Sequence, residues 1–114
     1  MSNALALKLG VYAATNNIQT NVASFALSYA GSGNYVSHSF KASGTPRTWT
    51  TPMPTSKVLI LRVSAPVLAV LTLRSTAVVE ISVSSLLVLD QDVASVVITE
   101  GSAGTAPEVV LFQV

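Results

Sequence analysis

The sequence predicts an all-β protein, an antiparallel β-sandwich or jelly roll of about eight or nine short strands. Nearly every apolar segment is about four to eight residues long, rich in valine and bounded by small polar residues. Turn-forming residues recur roughly every eight to twelve residues, the spacing typical of sandwiches and jelly rolls. Helical periodicity is hard to find, so strands are the preferred interpretation.

Three strands and a turn are predicted before residue 42. In residues 5–11 leucine and valine alternate with smaller or charged residues, which is the two-residue period of a strand with one buried face. In residues 18–29 the apolar positions change phase between Val22 and Phe25, which indicates a β-bulge. Residues 30–34 contain two glycines and an asparagine and predict a hairpin turn, with residues 35–41 as the returning strand.

The rest of the chain is dense with predicted strands. Residues 42–56 combine prolines and threonines with Trp49, and we interpret them as a long ordered loop, because an indole ring is costly to leave in water. The strands that follow are expected at residues 57–64, 67–74, 77–83, 86–89, 93–99 and 108–114. The length suits one domain, so a single β-sandwich domain is predicted over residues 1–114.

Composition excludes several classes of function. Charged residues make up 10% of the chain, against about 25% in average soluble domains. The net charge of +1 lacks the basic excess that a nucleic-acid-binding protein needs to neutralise phosphates. The absence of cysteine removes disulfides, thiolate metal sites and cysteine nucleophiles. We therefore expect no nucleic-acid partner and no cofactor.

The hydrophobic segments do not predict a membrane protein. Residues 58–89 are the most apolar part of the chain, but three charged residues and a proline divide them, which leaves residues 63–73 as the longest uncharged piece. That piece is well short of the ~20 residues that a membrane-spanning helix needs. Residues 1–9 have no positive flank before their apolar run, so they make a poor secretory signal.

Several predicted strands are apolar on both faces, which predicts self-assembly. A strand in a two-layer sandwich normally has one apolar face and one wet face, but residues 57–64, 67–74 and 108–114 carry large aliphatic residues on both. The loop at 42–56 covers only part of a second apolar layer, so the remainder should mark a contact with other subunits.

We therefore expect a homo-oligomer. The strand pattern alone does not separate core residues from interface residues. The residues predicted to make buried contacts are Trp49, Leu59, Leu61, Val70, Leu71, Phe112 and Val114. Replacing Val70 or Phe112 by aspartate is predicted to prevent assembly, because a charge would then have to enter an apolar contact.

The order of charges along the chain gives a second indication. All six basic residues precede Glu80, and all five acidic residues lie from Glu80 onward. The simpler interpretation pairs these charges within one subunit, where surface ion pairs contribute little free energy. The alternative is a chain with complementary ends that meet between subunits.

Few residues suggest chemistry. His38 is the only histidine and lies in a predicted strand, where a surface or interface role is preferred to that of a hydrolase base, because no carboxylate is near it in sequence. Asp90 and Asp92 are two acids of the kind that bind calcium, but they make a thin ligand shell, and a turn role is preferred. Gly31 and Gly33 lack the third glycine and the helix of a dinucleotide-binding loop. No catalytic or metal site is predicted.

The second half of the chain resembles the small β-sandwich structural proteins of tailed-bacteriophage virions. The resemblance rests on the proline-bounded entry 51–54, the apolar stretches 59–63, 81–83 and 86–90, and a final hairpin of 96–99 with 108–112. It implies a non-enzymatic capsid cement or decoration protein that stabilises the head through oligomeric β-sheet contacts. Its implied partners are further copies and the major capsid protein or other virion proteins, and its implied location is the virion, assembled in the host cytoplasm.

Two alternatives remain open from the sequence. The first is a tail-fibre or baseplate module of the same fold that binds host glycans through Trp49 and the tyrosines, since aromatic rings stack on sugars as well as forming interface hot spots. The second, which ranks last, is a small hydrolase that uses His38.

Overall fold

A computed structural model describes residues 3–31 and 35–114, and the regular elements in these ranges are all β-strands. The strands are β1 (Asn3–Thr15), β2 (Ile18–Gly31), β3 (Val36–Lys41), β4 (Arg47–Thr50), β5 (Leu59–Val63), β6 (Val67–Leu73), β7 (Val78–Val83), β8 (Leu86–Leu89), β9 (Val93–Glu100) and β10 (Glu108–Gln113). All of their pairings are antiparallel. The prediction of an all-β antiparallel fold is confirmed.

Two four-stranded sheets are built from residues 35–114. The first sheet has the order β3-β10-β5-β8, and the second has the order β4-β9-β6-β7. The pairings are nested: β6 pairs with β7, β5 with β8, β4 with β9 and β3 with β10. Successive pairs alternate between the two sheets, and each of the strands β3 to β6 is paired with one of the strands β7 to β10.

The core lies between the two sheets. Residues enter it with the two-residue period of a strand, interrupted in β9 by a register shift between Val93 and Ser95. The buried cluster from the first sheet comprises Phe40, Leu59, Leu61, Val63, Val109 and Leu111, and that from the second comprises Val67, Ala69, Leu71, Val83, Val93, Val96 and Ile98. Both sheets therefore contribute to one interior, and the sandwich has its own complete core.

The chain divides into two compact units, Met1–Asn34 and Tyr35–Val114. The first unit contains the two-stranded ribbon of β1 and β2, and the strands of both sandwich sheets belong to the second unit. In the ribbon, Leu7 is opposite Leu27 and Leu9 is opposite Phe25 in the backbone register.

The predicted hairpin between residues 18–29 and 35–41 is wrong. β2 pairs with β1 along its whole length, and β3 pairs with β10. The turn that closes the β1–β2 ribbon consists of Asn16 and Asn17, with φ of 52° and 64°. Asparagine tolerates this left-handed region, and two such residues in succession suit the tight turn of a β-hairpin. The predicted turn at 30–34 includes residues 32–34, which lie outside the described residues.

The phase change predicted near Val22 is present as a register irregularity. Val11 is opposite Ala23, but the next residue, Tyr12, is opposite Asn21. Val22 is therefore the additional residue of β2, as expected at a β-bulge.

The segment predicted as one ordered loop contains an additional strand, β4, which forms an edge of the second sheet by pairing with β9. Sequence reasoning missed it because four residues with a tryptophan between threonines are too short to show a clear period. After β4 the chain is anchored by hydrogen bonds: Thr51 N–H donates to the carbonyl of Ala94 at 3.0 Å, and the Thr51 hydroxyl donates to the side-chain carbonyl of Gln113. The segment is ordered as predicted.

Candidate interaction surface

The outer face of the first sheet is predominantly apolar in its central strands. Because Leu61 and Leu111 point into the core, their neighbours along β5 and β10 lie on the opposite side of the sheet. One row of paired residues across this side is Ser37, Phe112, Ile60 and Val88, and the next is Ser39, Val110, Arg62 and Leu86. The strands that the sequence showed to be apolar on both faces thus place one set of side chains in the core and the other set outside.

We call this surface the open face and define it by six apolar residues, Tyr35, Ile60, Leu86, Val88, Val110 and Phe112. Tyr35 is 61% exposed, Leu86 49%, Val88 41% and Val110 39%, and the other two are half-buried. The ring of Tyr35 stacks on that of Phe112 with 5.5 Å between the ring centroids. A sandwich with a complete core thus leaves a second apolar layer in water, which is a feature of protein interaction sites.

Three charged side chains accompany the open face. Arg62 lies in its middle, beside Val110 and Leu86, while Glu108 and Lys41 form a pair of neighbours at one end. All three residues are exposed. Within the described part of the chain, neither the Arg62 guanidinium nor the Glu108 carboxylate has an ion pair or a hydrogen bond.

The outer face of the second sheet has a different character. Its rows are rich in hydroxyl side chains: Thr48, Thr50, Thr72, Ser82, Ser95 and Thr99. Its aliphatic residues are Leu68, Val70, Val78 and Val97, of which Val78 is 64% exposed and the other three are half-buried. Hydroxyl groups hydrogen-bond to water, so this face is better solvated than the open face.

Three of the predicted contact residues are core residues. Leu59, Leu61 and Leu71 have no exposed surface and belong to the cluster between the two sheets. A partner cannot contact them without separating the sheets, and we therefore remove them from the interface. The error arises because a strand that is apolar on both faces does not reveal which face enters the core.

The other four predicted contact residues retain some exposure and lie in three different places. Phe112 is on the open face, and Val114 continues the alternation of β10 beyond it, hydrogen-bonded to Val58 through both its N–H and its carbonyl. Val70 is on the outer face of the second sheet. Trp49 packs against the core. Sequence reasoning missed Tyr35, Ile60, Leu86, Val88 and Val110 as a group, because strand order determines that they share a face.

An aromatic cluster closes one side of the sandwich where the edge strands β3 and β4 approach each other. The His38 ring lies 5.6 Å from the ring of Phe40 and 6.4 Å from that of Trp49. The Arg47 guanidinium lies over the Phe40 ring, 4.7 Å from its centroid, a favourable cation–π geometry. These contacts give His38 and Trp49 a packing role at the margin of the core.

The acids at the turn between β8 and β9 do not share a role. Asp92 accepts hydrogen bonds from the Ser56 N–H at 3.0 Å and the Ser56 hydroxyl at 3.2 Å. Its nearest Arg74 nitrogen is 3.5 Å away, and that nitrogen also donates to the Met53 carbonyl at 2.8 Å. Asp92 thus fastens the loop after β4 to the sheet, while Asp90 is exposed. Within residues 3–31 and 35–114 no three acid or histidine side chains are grouped as metal ligands would be.

The turn between β9 and β10 is organised by Glu100. Its carboxylate oxygens accept hydrogen bonds from the N–H groups of Gly104 and Ala106, both at 3.0 Å. Gly101 donates its N–H to the Pro66 carbonyl at 2.9 Å. This segment is therefore tied both to itself and to the turn before β6.

The fold and the surface define a class: an antiparallel β-sandwich with one apolar outer face. Comparison of the chain with protein-family models, curated proteins and solved structures gives no significant match. In the described ranges there is no helix with the length and apolar character needed to cross a membrane.

Proposed function

We propose that this chain is a non-enzymatic structural protein of a bacteriophage virion, a cement or decoration protein of the capsid. The observation that carries the proposal is the open face. A molecule whose core is already complete does not need six more large apolar residues on an outer sheet surface for its own stability, and burial of such residues against a protein favours association by roughly 25 cal/mol per Å².

The strand order supports the finer description of the fold as a jelly roll. Eight strands in four nested antiparallel pairs, shared alternately by two sheets, are the arrangement that a double Greek-key connection would give. The jelly roll is an architecture of viral capsid and lectin domains, so the fold agrees with a virion role by analogy. The location that follows is the virion, after assembly in the host cytoplasm.

The proposal ranks above the alternative of a glycan-binding tail-fibre or baseplate module. That alternative expects Trp49 and the tyrosines to form one stacking surface. Trp49 packs against the core and His38, whereas Tyr35 stacks on Phe112 on the outer side of the first sheet. The two rings therefore lie on different sides of the first sheet, and a sugar cannot contact both.

The test is quantitative mass spectrometry of particles purified on a density gradient from the phage whose genome encodes the chain. We expect the chain to co-purify with the major capsid protein in a fixed ratio, and to keep that ratio after a second gradient at high salt, because apolar contacts are not screened by ions. Recovery of the chain only from the soluble lysate, with none in intact particles, would contradict the proposal.

A further inference from the structure

We propose that the open face binds the open face of a second copy of this chain, in a two-fold symmetric dimer that pairs Arg62 of one copy with Glu108 of the other. This inference rests on the proposed structural function and names the partner of the surface that carries it. A two-fold contact uses the same patch on both copies, so the patch must be complementary to itself in shape and charge.

The arrangement of apolar residues meets this condition. A two-fold axis parallel to the strands, placed between β10 and β5, lays β10 of each copy on β5 of the other. Phe112 then faces the partner's Ile60, and Ile60 faces the partner's Phe112. Both residues lie in the same row of the sheet, so one contact is generated twice.

The charges on the face meet the condition as well. Arg62 and Glu108 lie on these same two strands, and their rows are adjacent. After the two-fold rotation, Glu108 is offset by about one row, roughly 7 Å along the strand, from the partner's Arg62. Since stacked sheets lie about 10 Å apart, the two Cα atoms are roughly 12 Å apart, a distance that the extended arginine and glutamate side chains span together. The contact gives the guanidinium in the middle of an apolar face an ionic partner, which the chain alone does not supply.

The area of the open face determines the expected affinity of the dimer. Four strands about 4.8 Å apart and four rows roughly 7 Å apart cover on the order of 500 Å² in projection for each copy. Standard stable interfaces bury about 800 Å² per partner, and weak or transient ones bury less. The dimer is therefore concentration-dependent, with the apolar rows supplying most of the attraction and the two charge pairs fixing its orientation.

The first experiment measures the weight-average mass of the full chain by sedimentation over roughly 10 µM to 1 mM, a range suited to a weak interface. The wild-type mass is expected to rise from 11.8 kDa towards twice that value. Val110→Asp is expected to weaken dimerisation at least tenfold. Val70→Asp is the matched control, because both valines lie on central strands but on opposite outer faces. It should leave the dimer unchanged, which replaces the expectation from the sequence that this substitution prevents assembly.

The second experiment exchanges the charges. Arg62→Glu alone places two acids together in each contact, and Glu108→Arg alone places two bases together, so each variant should dimerise poorly. An equimolar mixture of the two should recover dimers, since in the mixed pair both contacts join opposite charges. Pairing of Arg62 with Glu108 within one chain cannot produce this recovery.

Each outcome has a defined meaning. Dimers that survive Val110→Asp but not Val70→Asp would overturn the open face as the interface, and a mixture that dimerises no better than its components would overturn the Arg62–Glu108 contact. Circular dichroism of each variant checks that the substitutions leave the fold intact. A monomeric wild-type chain that is still present in purified particles would refute the dimer while leaving the virion role standing.

Discussion

Gln113 is the clearest example of a single residue that organises its surroundings. It is fully buried, and its amide nitrogen donates to the carbonyl of Val93 and to the hydroxyl of Ser56, both at 2.7 Å. Its carbonyl accepts from the Thr51 hydroxyl, which in turn accepts the Met53 N–H at 3.1 Å. One side chain at the end of β10 therefore holds the loop after β4 and the start of β9, without an unsatisfied polar atom.

Gln113→Leu is expected to destabilise the protein by about 2–4 kcal/mol. Leucine has a similar volume, but it removes the hydrogen bonds that the Val93 carbonyl and the Thr51 and Ser56 hydroxyls make with the amide, and a buried polar group left unpaired costs about 1–3 kcal/mol. Urea unfolding followed by circular dichroism measures the change. Gln91→Leu, at an exposed position, is the control and should change the unfolding free energy by less than about 0.5 kcal/mol. Equal effects of the two substitutions would show that the hydrogen bonds of Gln113 do not contribute to the free energy of unfolding.

At the scale of single elements, the turns determine how the strands are connected. Asn16 and Asn17 close the first ribbon through positive φ, whereas the turn between β9 and β10 depends on a close approach of backbones. A Cβ added to Gly101 would lie 2.9 Å from the Pro66 carbonyl oxygen, a distance that requires one chain to move. That contact joins the turn after β9 to the turn before β6.

Gly101→Ala is expected to destabilise the protein by about 1–3 kcal/mol, the usual cost of overpacking a well-packed site. Gly44→Ala is the matched control, since its Cβ would meet nothing closer than a Glu100 carboxylate oxygen at 3.5 Å. That substitution should be neutral or slightly stabilising, because alanine reduces the entropy of the unfolded chain. Thermal unfolding of both variants measures the difference. An unchanged midpoint for Gly101→Ala would show that the turn accommodates the added methyl group without a loss of stability.

At the scale of the whole molecule, the second unit contains both sheets of the sandwich and an apolar core between them. Both four-stranded sheets lie within residues 35–114, and so do the members of the buried cluster whose side chains the structure describes. A two-stranded ribbon such as β1–β2 is at best marginally stable when isolated in water, whereas sheets with a shared apolar interior are stable. The sandwich should therefore not depend on the first unit for its core.

A fragment of residues 35–114 is expected to unfold cooperatively on heating, with a midpoint within about 5 °C of that of the full chain. The same fragment with Leu61→Ala should lose about 2–5 kcal/mol, since it empties part of a fully buried site. Calorimetry of both fragments and of the full chain makes the comparison. A broad, non-cooperative transition of the unmodified fragment would show that residues 1–34 are required for folding.

The strands of the second half were predictable because each is a short apolar run between turn residues. Strand pairing was harder to predict from the sequence. The glycine-rich turn at 30–34 suggested a hairpin that does not form, since β1 is the partner of β2 over its full length. The open face could be predicted only in part. The sequence showed that β5 and β10 are apolar on both sides, but Leu61 and Ile60 follow the same alternation and nothing local distinguishes the buried one.

The sequence by itself determined the class of fold, because the two-residue period and the spacing of turns are local properties. It also determined that the chain carries more large apolar residues than the core between two sheets can bury. Only the tertiary structure decided that this excess gathers on one sheet. The order β3-β10-β5-β8 brings Tyr35, Phe112, Ile60 and Val88 together from distant parts of the chain, and strand order is a consequence of long-range pairing that no local pattern encodes.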